Sequence, residues 1–162
     1  MFIPDSESAD LMLKRLELYK RLYTQIAEVQ KVGLNNNRVA TERNLLRTID
    51  QLENYLASSL DQDPLLLVNF SPEISDTEIS EWKNKAINII DSNIRPTVSA
   101  YLDQLKTDHL PKGRGDDKCG IMWIDGGEES YLRSLRKYTG HKDTTVKEVH
   151  EIGLSEIERL KK

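Results

Sequence analysis

Apolar side chains recur at three- and four-residue steps along most of this chain of 162 residues, and that spacing is typical of amphipathic helices. The first such run extends from about residue 10 to residue 31, and Gly33 follows it as a natural helix stop. After a polar turn of three asparagines at 35–37, a second run continues to about residue 59. We expect these two helices to pair as an antiparallel hairpin.

A long helix is predicted after Ser75, because Ser75 and Glu78 have the spacing of a capping box. Its apolar stripe continues past Pro96, whose missing N–H and ring clash are expected to kink the helix rather than end it. Pro111 marks its limit. The connector before this helix, residues 61–75, carries an apolar run between two prolines, so we expect it to be ordered against the core.

The composition changes between residues 112 and 127, where glycines and charged residues precede an apolar piece at 121–124. This piece is the one place where the sequence predicts a strand or extended segment, closed by the glycine pair at 126–127. Helix is predicted again over about 128–138. A last helix is predicted from Thr145, with Glu148 as its capping partner, to the end of the sequence.

The pattern as a whole predicts an all-α fold of long antiparallel helices, with one proline-kinked helix and a short extended segment or hairpin near 120–127. One helical domain over residues 1–162 is expected, since domains cluster near roughly 100 to 150 residues. Because the last amphipathic helix carries no stop signal, we interpret the chain as a fragment of a larger protein.

Composition and charge narrow the classes of function. The chain has 23 basic and 27 acidic residues, a net charge of −4, and the signs are mixed along it; the basic face that nucleic acid requires is therefore not expected. No apolar run approaches the roughly 20 residues that span a bilayer. The N-terminus lacks the pattern of a signal peptide, which makes the cytoplasm the default expectation.

The dipeptide of His150 and Glu151 invites comparison with the helical zinc motif HExxH, in which two histidines one turn apart face the metal. The position four residues after His150 is Leu154, and Glu156 lies on a different part of the helix surface. We therefore predict no metal site and no cofactor within this chain. A histidine packed against a neighbouring helix is the favoured interpretation of His150.

Two other features could carry chemistry. Cys119 is the only cysteine, so it forms no internal disulfide, and a thiol nucleophile there would depend on tertiary contacts. The aromatic residues Trp123, Tyr131 and Tyr138 cluster near the glycine pair, and aromatic groups beside a flexible loop often line clefts. Core packing is the favoured interpretation of these aromatic residues; Trp123, Tyr131 and His150 are nevertheless the candidate cleft-lining residues.

From about Leu18 onward the order of features resembles the bacterial family known as domain of unknown function 885, whose members are large helical proteins that look like zinc peptidases. The most specific stretches read WIDGGEESY at 123–131 and VHEIGLSEI at 149–157, with Tyr138 and Thr139 between them. Ile94, Arg95 and Pro96 also resemble the family's proline-kinked helix. Family members carry their zinc ligands in a later HExxPGHH motif, which this chain does not contain.

The resemblance implies that the chain is the N-terminal or middle portion of a zinc-dependent peptidase-like protein. That portion would be non-catalytic and would wall or cover a cleft whose metal motif lies outside the chain. The larger protein would be a zinc metallopeptidase acting on peptides, and the partners of this chain would be the missing C-terminal part or a second copy of itself. The alternative is a stand-alone helical module that binds another protein.

Overall fold

The fold is mostly helical, as the hydrophobic pattern predicts. A computed structural model describes residues 2–161 and divides the chain into two compact units, unit 1 up to Asp116 and unit 2 from Asp117 onward. Unit 1 contains α1 (Ser6–Glu17), α2 (Tyr19–Asn35), α3 (Glu42–Ala57), α4 (Asp76–Ile89), α5 (Arg95–Gln104) and the strands β1 (Phe2–Ile3) and β2 (Asn69–Phe70). Unit 2 contains α6 (Gly127–Thr139) and α7 (Val146–Leu160). The division falls within the stretch where the composition changes.

A two-stranded parallel sheet ties the start of the chain to the connector before α4. Phe2 pairs with Asn69 and Ile3 with Phe70. Ile3 is buried in the same core as Trp82 of α4, whose indole N–H donates to the carbonyl of Ala9 at 2.9 Å. The connector is thus ordered against the core, as predicted.

The first predicted helix is broken into α1 and α2 at Leu18. The N–H of Leu18 still donates to the carbonyl of Arg15, and Leu18 keeps right-handed helical backbone angles, so a single turn residue separates the two helices. Leu16 at the end of α1 is fully buried, while Leu18 is 58% exposed. The periodicity does not reveal this break, because the apolar spacing continues through it.

The predicted long helix is present and is interrupted twice by π-helical turns. One turn, Ile90–Ile94, joins α4 to α5, and the other, Leu105–His109, follows α5. Pro96 is the second residue of α5, so its lack of an N–H is accommodated directly after a widened turn. A 3₁₀ turn at Leu110–Lys112 ends the run, where Pro111 predicted its limit.

Two apolar clusters form the core of unit 1, and the long helical run contributes to both. The first cluster joins α1, α4 and the first π-helical turn, and its buried residues include Leu16, Ile90 and Ile94. The second joins α2, α3, α5 and the second π-helical turn around Leu45 and Leu105. Both α2 and α3 pack mainly against α5, so the predicted hairpin contact is secondary to the contacts that each helix makes with α5.

The helices of unit 2 begin and end where the sequence predicts. The Thr145 hydroxyl accepts from the N–H of Glu148, and the Glu148 carboxylate accepts from the N–H of Thr145, which completes the capping box of α7. Gly126 and Gly140 flank α6 with φ of 68° and 72°, a left-handed conformation that favours glycine. Ser75 and Glu78 form the second predicted capping box, at α4.

The extended segment predicted near 120–127 is a 3₁₀ turn instead, over Ile121–Trp123. Gly120 and Ile124 on either side have extended backbone angles, but the N–H of Trp123 donates to the carbonyl of Gly120 at 3.2 Å. A short apolar piece forms a strand only where a neighbouring strand accepts its hydrogen bonds. Within residues 2–161 this piece has no such neighbour, so the local turn prevails.

Candidate functional site

A buried ion pair in unit 1 joins the connector to the start of α5. The Asp63 carboxylate is fully buried and lies 3.5 Å from the guanidinium of Arg95, which is 14% exposed. Arg95 also donates to the carbonyl of Ser58 at 2.8 Å and lies over the Tyr55 ring, 5.4 Å from its centroid. Burial raises the pKa of Tyr55, and the neighbouring Asp63 carboxylate raises it further.

This cluster was not found by sequence reasoning. In the sequence, Arg95 stands out only as part of the segment that resembles the family's helix, and no pattern singles out Asp63 before Pro64. The one available signal was an acidic residue beside an apolar run in a segment expected to enter the core. Asp63 is fully buried and Arg95 is mostly buried, and the contacts of the cluster indicate a structural role.

His109 is another polar residue buried in unit 1. It closes the second π-helical turn, and its Nε2 atom lies 3.2 Å from the side-chain amide nitrogen of Gln104. Because an amide nitrogen only donates, the imidazole Nε2 accepts and the ring is neutral. Burial lowers the pKa of His109. A small cavity of about 150 Å³ beside it is lined by Gln30, Arg38, Ala40 and Leu45.

Unit 2 differs from unit 1 because it buries almost none of its own apolar side chains. Among its described residues, 117–161, only Gly127 is buried. Ten large apolar or aromatic side chains are exposed there: Ile121, Met122, Trp123, Tyr131, Tyr138, Val146, Ile152, Leu154, Ile157 and Leu160. A unit of this kind lacks the internal core that normally fixes a fold.

The candidate cleft-lining residues lie on three different elements of unit 2. Trp123 ends the 3₁₀ turn and is 47% exposed, with the Lys118 ammonium 5.8 Å from its ring centroid. Tyr131 lies on α6 and is 44% exposed, and His150 lies exposed on α7. Across residues 2–161 no hydrogen bond or ring contact joins these three side chains directly.

These side chains are more exposed than the favoured interpretations, which placed them in packed surroundings, would make them. Core packing was favoured for Trp123, Tyr131 and Tyr138, yet none of them is buried by the described residues. His150 likewise is exposed rather than packed against a neighbouring helix. Their role as cleft-lining residues stays a prediction.

The position of Trp123 depends on the close approach of the Ile121 carbonyl oxygen to the backbone of Gly127. The N–H of Gly127 donates to the carbonyl of Ile124 at 2.9 Å. A Cβ at Gly127 would lie 1.7 Å from the carbonyl oxygen of Ile121, which is far inside van der Waals contact. Glycine at this position therefore allows the 3₁₀ turn to fold back onto the first turn of α6.

The potential metal donors of unit 2 are dispersed. The Glu156 carboxylate is 2.8 Å from the Arg159 guanidinium, and Glu151 is 3.7 Å from the Lys147 ammonium. Cys119 is exposed. Within residues 2–161 no three His, Cys, Asp or Glu side chains converge as a metal site would need.

No helix among the described residues, 2–161, is long and apolar enough to cross a membrane.

Comparison with known protein families assigns the chain to one of them. The profile described as "Bacterial protein of unknown function (DUF885)" matches residues 1–162, which is the whole chain. The chain is a member of the DUF885 family. This membership confirms the resemblance that the stretches at 123–131 and 149–157 indicated. No curated protein matches the chain.

A solved structure shows the same fold in a longer protein. This DUF885 chain is similar to a candidate lipoprotein from Colwellia psychrerythraea, with a TM-score of 0.83 and 18% sequence identity. The match covers 97% of this chain and 27% of that protein. The chain therefore spans about a quarter of the length of that relative, and at this identity the likeness concerns the fold alone.

Proposed function

We propose that this chain is the non-catalytic helical portion of a zinc-dependent peptidase-like DUF885 protein. In this proposal unit 2 walls or covers a cleft whose metal motif lies outside residues 1–162. The observation that carries it is the exposed apolar and aromatic surface of unit 2, in a chain that matches its family throughout but only 27% of a longer relative.

Among residues 2–161, the side chains around His150 do not converge as the ligands of a zinc site would. The residue one turn after His150 is Leu154, and the Glu156 carboxylate pairs with Arg159, whereas a catalytic zinc needs about three converging protein ligands. Zinc held elsewhere would activate water and polarise a peptide carbonyl. Trp123, Tyr131 and His150 would contact the peptide through apolar surface and one imidazole.

The first test measures zinc and peptide hydrolysis with the 162-residue chain. We expect dissociation constants for zinc no tighter than roughly 100 µM, a value typical of scattered surface ligands rather than a built site. We expect no turnover of a mixed peptide library. Chelator-sensitive hydrolysis by this chain, lost in His150→Ala, would overturn the proposal.

The second test concerns the cleft itself, in a form of the protein that also contains the HExxPGHH motif. Trp123→Ala and Tyr131→Ala should raise KM for peptides several-fold and change kcat less, because binding surface is lost and the metal is not touched. Arg133→Ala is the matched control, since Arg133 lies on the opposite face of α6 from Tyr131. Equal KM values in all variants would contradict a cleft-lining role.

The exposed surface of α7 also favours the alternative of a stand-alone helical interaction module. The two functions are separated by the reading frame of the natural gene. A frame that continues into HExxPGHH supports the peptidase-like protein, and a stop codon directly after Lys162 supports the module. The cytoplasmic location stays a prediction under either function.

A further inference from the structure

The apolar surface of α7 forms a regular stripe along the helix. Val146, Val149, Gly153, Ile157 and Leu160 follow one another at steps of three, four, four and three residues, so they share one face. Val146, Ile157 and Leu160 are 43%, 51% and 73% exposed. Ile152 and Leu154 widen the stripe on its two sides and are also exposed.

Gly153 lies at the centre of this stripe. A Cβ built at Gly153 would meet no atom within 4 Å, so no contact among the described residues explains a glycine there. Glycine in a helix interior lowers helix stability more than any residue except proline. A glycine in the middle of an apolar stripe does allow the backbone of a second helix to approach closely.

The occupant is indicated by the length of the solved relative. Nearly the whole of this chain, unit 2 included, matches a relative of which it covers only 27%. In that relative most of the polypeptide lies outside the matched part. A corresponding segment in a longer DUF885 protein would be available to cover unit 2, which buries only Gly127 among its described residues.

We infer that the stripe of α7 is the docking surface for an apolar helix of the polypeptide that longer DUF885 proteins carry outside this region. The docked helix crosses α7 at Gly153, where the two backbones are closest. This inference rests on the proposed function in one respect, which is that the chain works as part of a longer DUF885 protein. It does not depend on zinc or on hydrolysis.

The experiment compares amide hydrogen exchange in α7 for two proteins, the 162-residue chain and the full product of the natural gene, read to its first stop codon. We expect exchange in α7 to be slower in the full product by on the order of 100-fold, because docking must open before the amides exchange. A gene that ends at Lys162, or equal exchange rates in the two proteins, would overturn the inference.

Gly153→Leu supplies the decisive variant. In the 162-residue chain it should raise the helix content of α7, since leucine is a much better helix former than glycine. In the full product it should speed exchange in α7 by about tenfold, since the side chain blocks the close approach. Ser155→Leu, which introduces the same side chain on the opposite face, should leave exchange in the full product unchanged.

Two further outcomes distinguish the docking surface from a dimer of this chain and from the proposed function. If the 162-residue chain dimerises and already protects α7, then a second copy occupies the stripe and the inference is wrong. If Gly153→Leu behaves as expected but the full product binds no zinc and cleaves no peptide, the docking surface stands and the proposed function fails. If the full product binds zinc but its α7 exchanges as fast as in the 162-residue chain, the proposed function stands and the docking surface fails.

Discussion

At the scale of single residues, Arg95 is the partner of a fully buried carboxylate in unit 1. It brings a charge into a site where Asp63 is fully buried, and it also satisfies the carbonyl of Ser58. A buried carboxylate left without its partner is far more costly than an exposed one, because water cannot replace the lost interaction. The surface ion pair of Arg43 and Asp116 offers a comparison, since both side chains are more than half exposed.

We predict that Arg95→Met lowers the free energy of unfolding of unit 1 by about 3 kcal/mol, the usual cost of a buried charge that loses its partner. Arg43→Met should cost less than about 1 kcal/mol, because exposed pairs contribute little. Urea unfolding followed by circular dichroism measures both. Adding Asp63→Asn to Arg95→Met should recover part of the loss, and a double variant less stable than the single one would contradict this account.

His109 makes the stability of unit 1 depend on pH. Its pKa in the folded state is lowered by burial, so below about pH 6.5 the unfolded chain takes up a proton that the folded chain does not. The free energy of unfolding should therefore fall as the pH falls from about 6.5 through the folded pKa. His109→Gln should reduce this slope in urea titrations between pH 7 and 5, and His141→Gln, an exposed control, should preserve it.

At the scale of elements, the turn before α6 is held by backbone contacts. The carbonyl oxygen of Ile121 occupies the space where a Cβ of residue 127 would lie, at 1.7 Å. Backbone atoms cannot move aside as a flexible side chain can, so any side chain at 127 must displace the turn. The position of Trp123 consequently depends on Gly127.

Gly127→Ala should shift the indole N–H resonance of Trp123 in a nitrogen–proton correlation spectrum, because the 3₁₀ turn must move by more than an ångström. The indole of Trp82, which is buried in unit 1 against Ala9, serves as an internal control and should not shift. Gly153→Ala is the matched variant, since its Cβ meets nothing. An unshifted Trp123 resonance in Gly127→Ala would show that the turn does not depend on glycine.

The elements also show what the sequence could predict. Local signals were correct at the capping boxes of Ser75 and Thr145 and at the glycine after α6. The helix stop predicted at Gly33 was wrong, because α2 continues through Gly33 to Asn35. The break at Leu18 and the two π-helical turns could not be predicted, since they depend on how distant side chains pack. The same holds for the Asp63 and Arg95 pair, whose members are 32 positions apart in sequence and meet only in the folded chain.

Of the candidate site, the sequence predicted that Tyr131 and His150 lie on helices, but it did not predict the 3₁₀ turn of Trp123 or the surroundings of the three side chains. Trp123, Tyr131 and His150 were selected by proximity to the glycine pair and by resemblance to a family that matches the whole chain. Their exposure could not be foreseen, because periodicity reports an apolar face without reporting what covers it. The stripe on α7 has the same pattern as a core-facing helix and remains exposed.

At the scale of the whole molecule, the two units differ in what stabilises them. Unit 1 has two apolar clusters, a buried ion pair and a long helical run that contributes to each cluster. Unit 2 has capped helices and the 3₁₀ turn at Ile121–Trp123, but ten of its large apolar or aromatic side chains lie exposed. An isolated helix of 15 residues is only marginally stable in water, so we expect α7 to be only marginally stable in the 162-residue chain.

Amide hydrogen exchange of the 162-residue chain tests this account most directly, because one experiment reports on both units. Amides of α5 should be protected by several orders of magnitude, close to the limit set by global unfolding. Amides of α7 should exchange within about tenfold of the rate of an unstructured peptide. Protection in α7 equal to that in α5, with the chain monomeric, would show that unit 2 is stable by itself and would contradict the account.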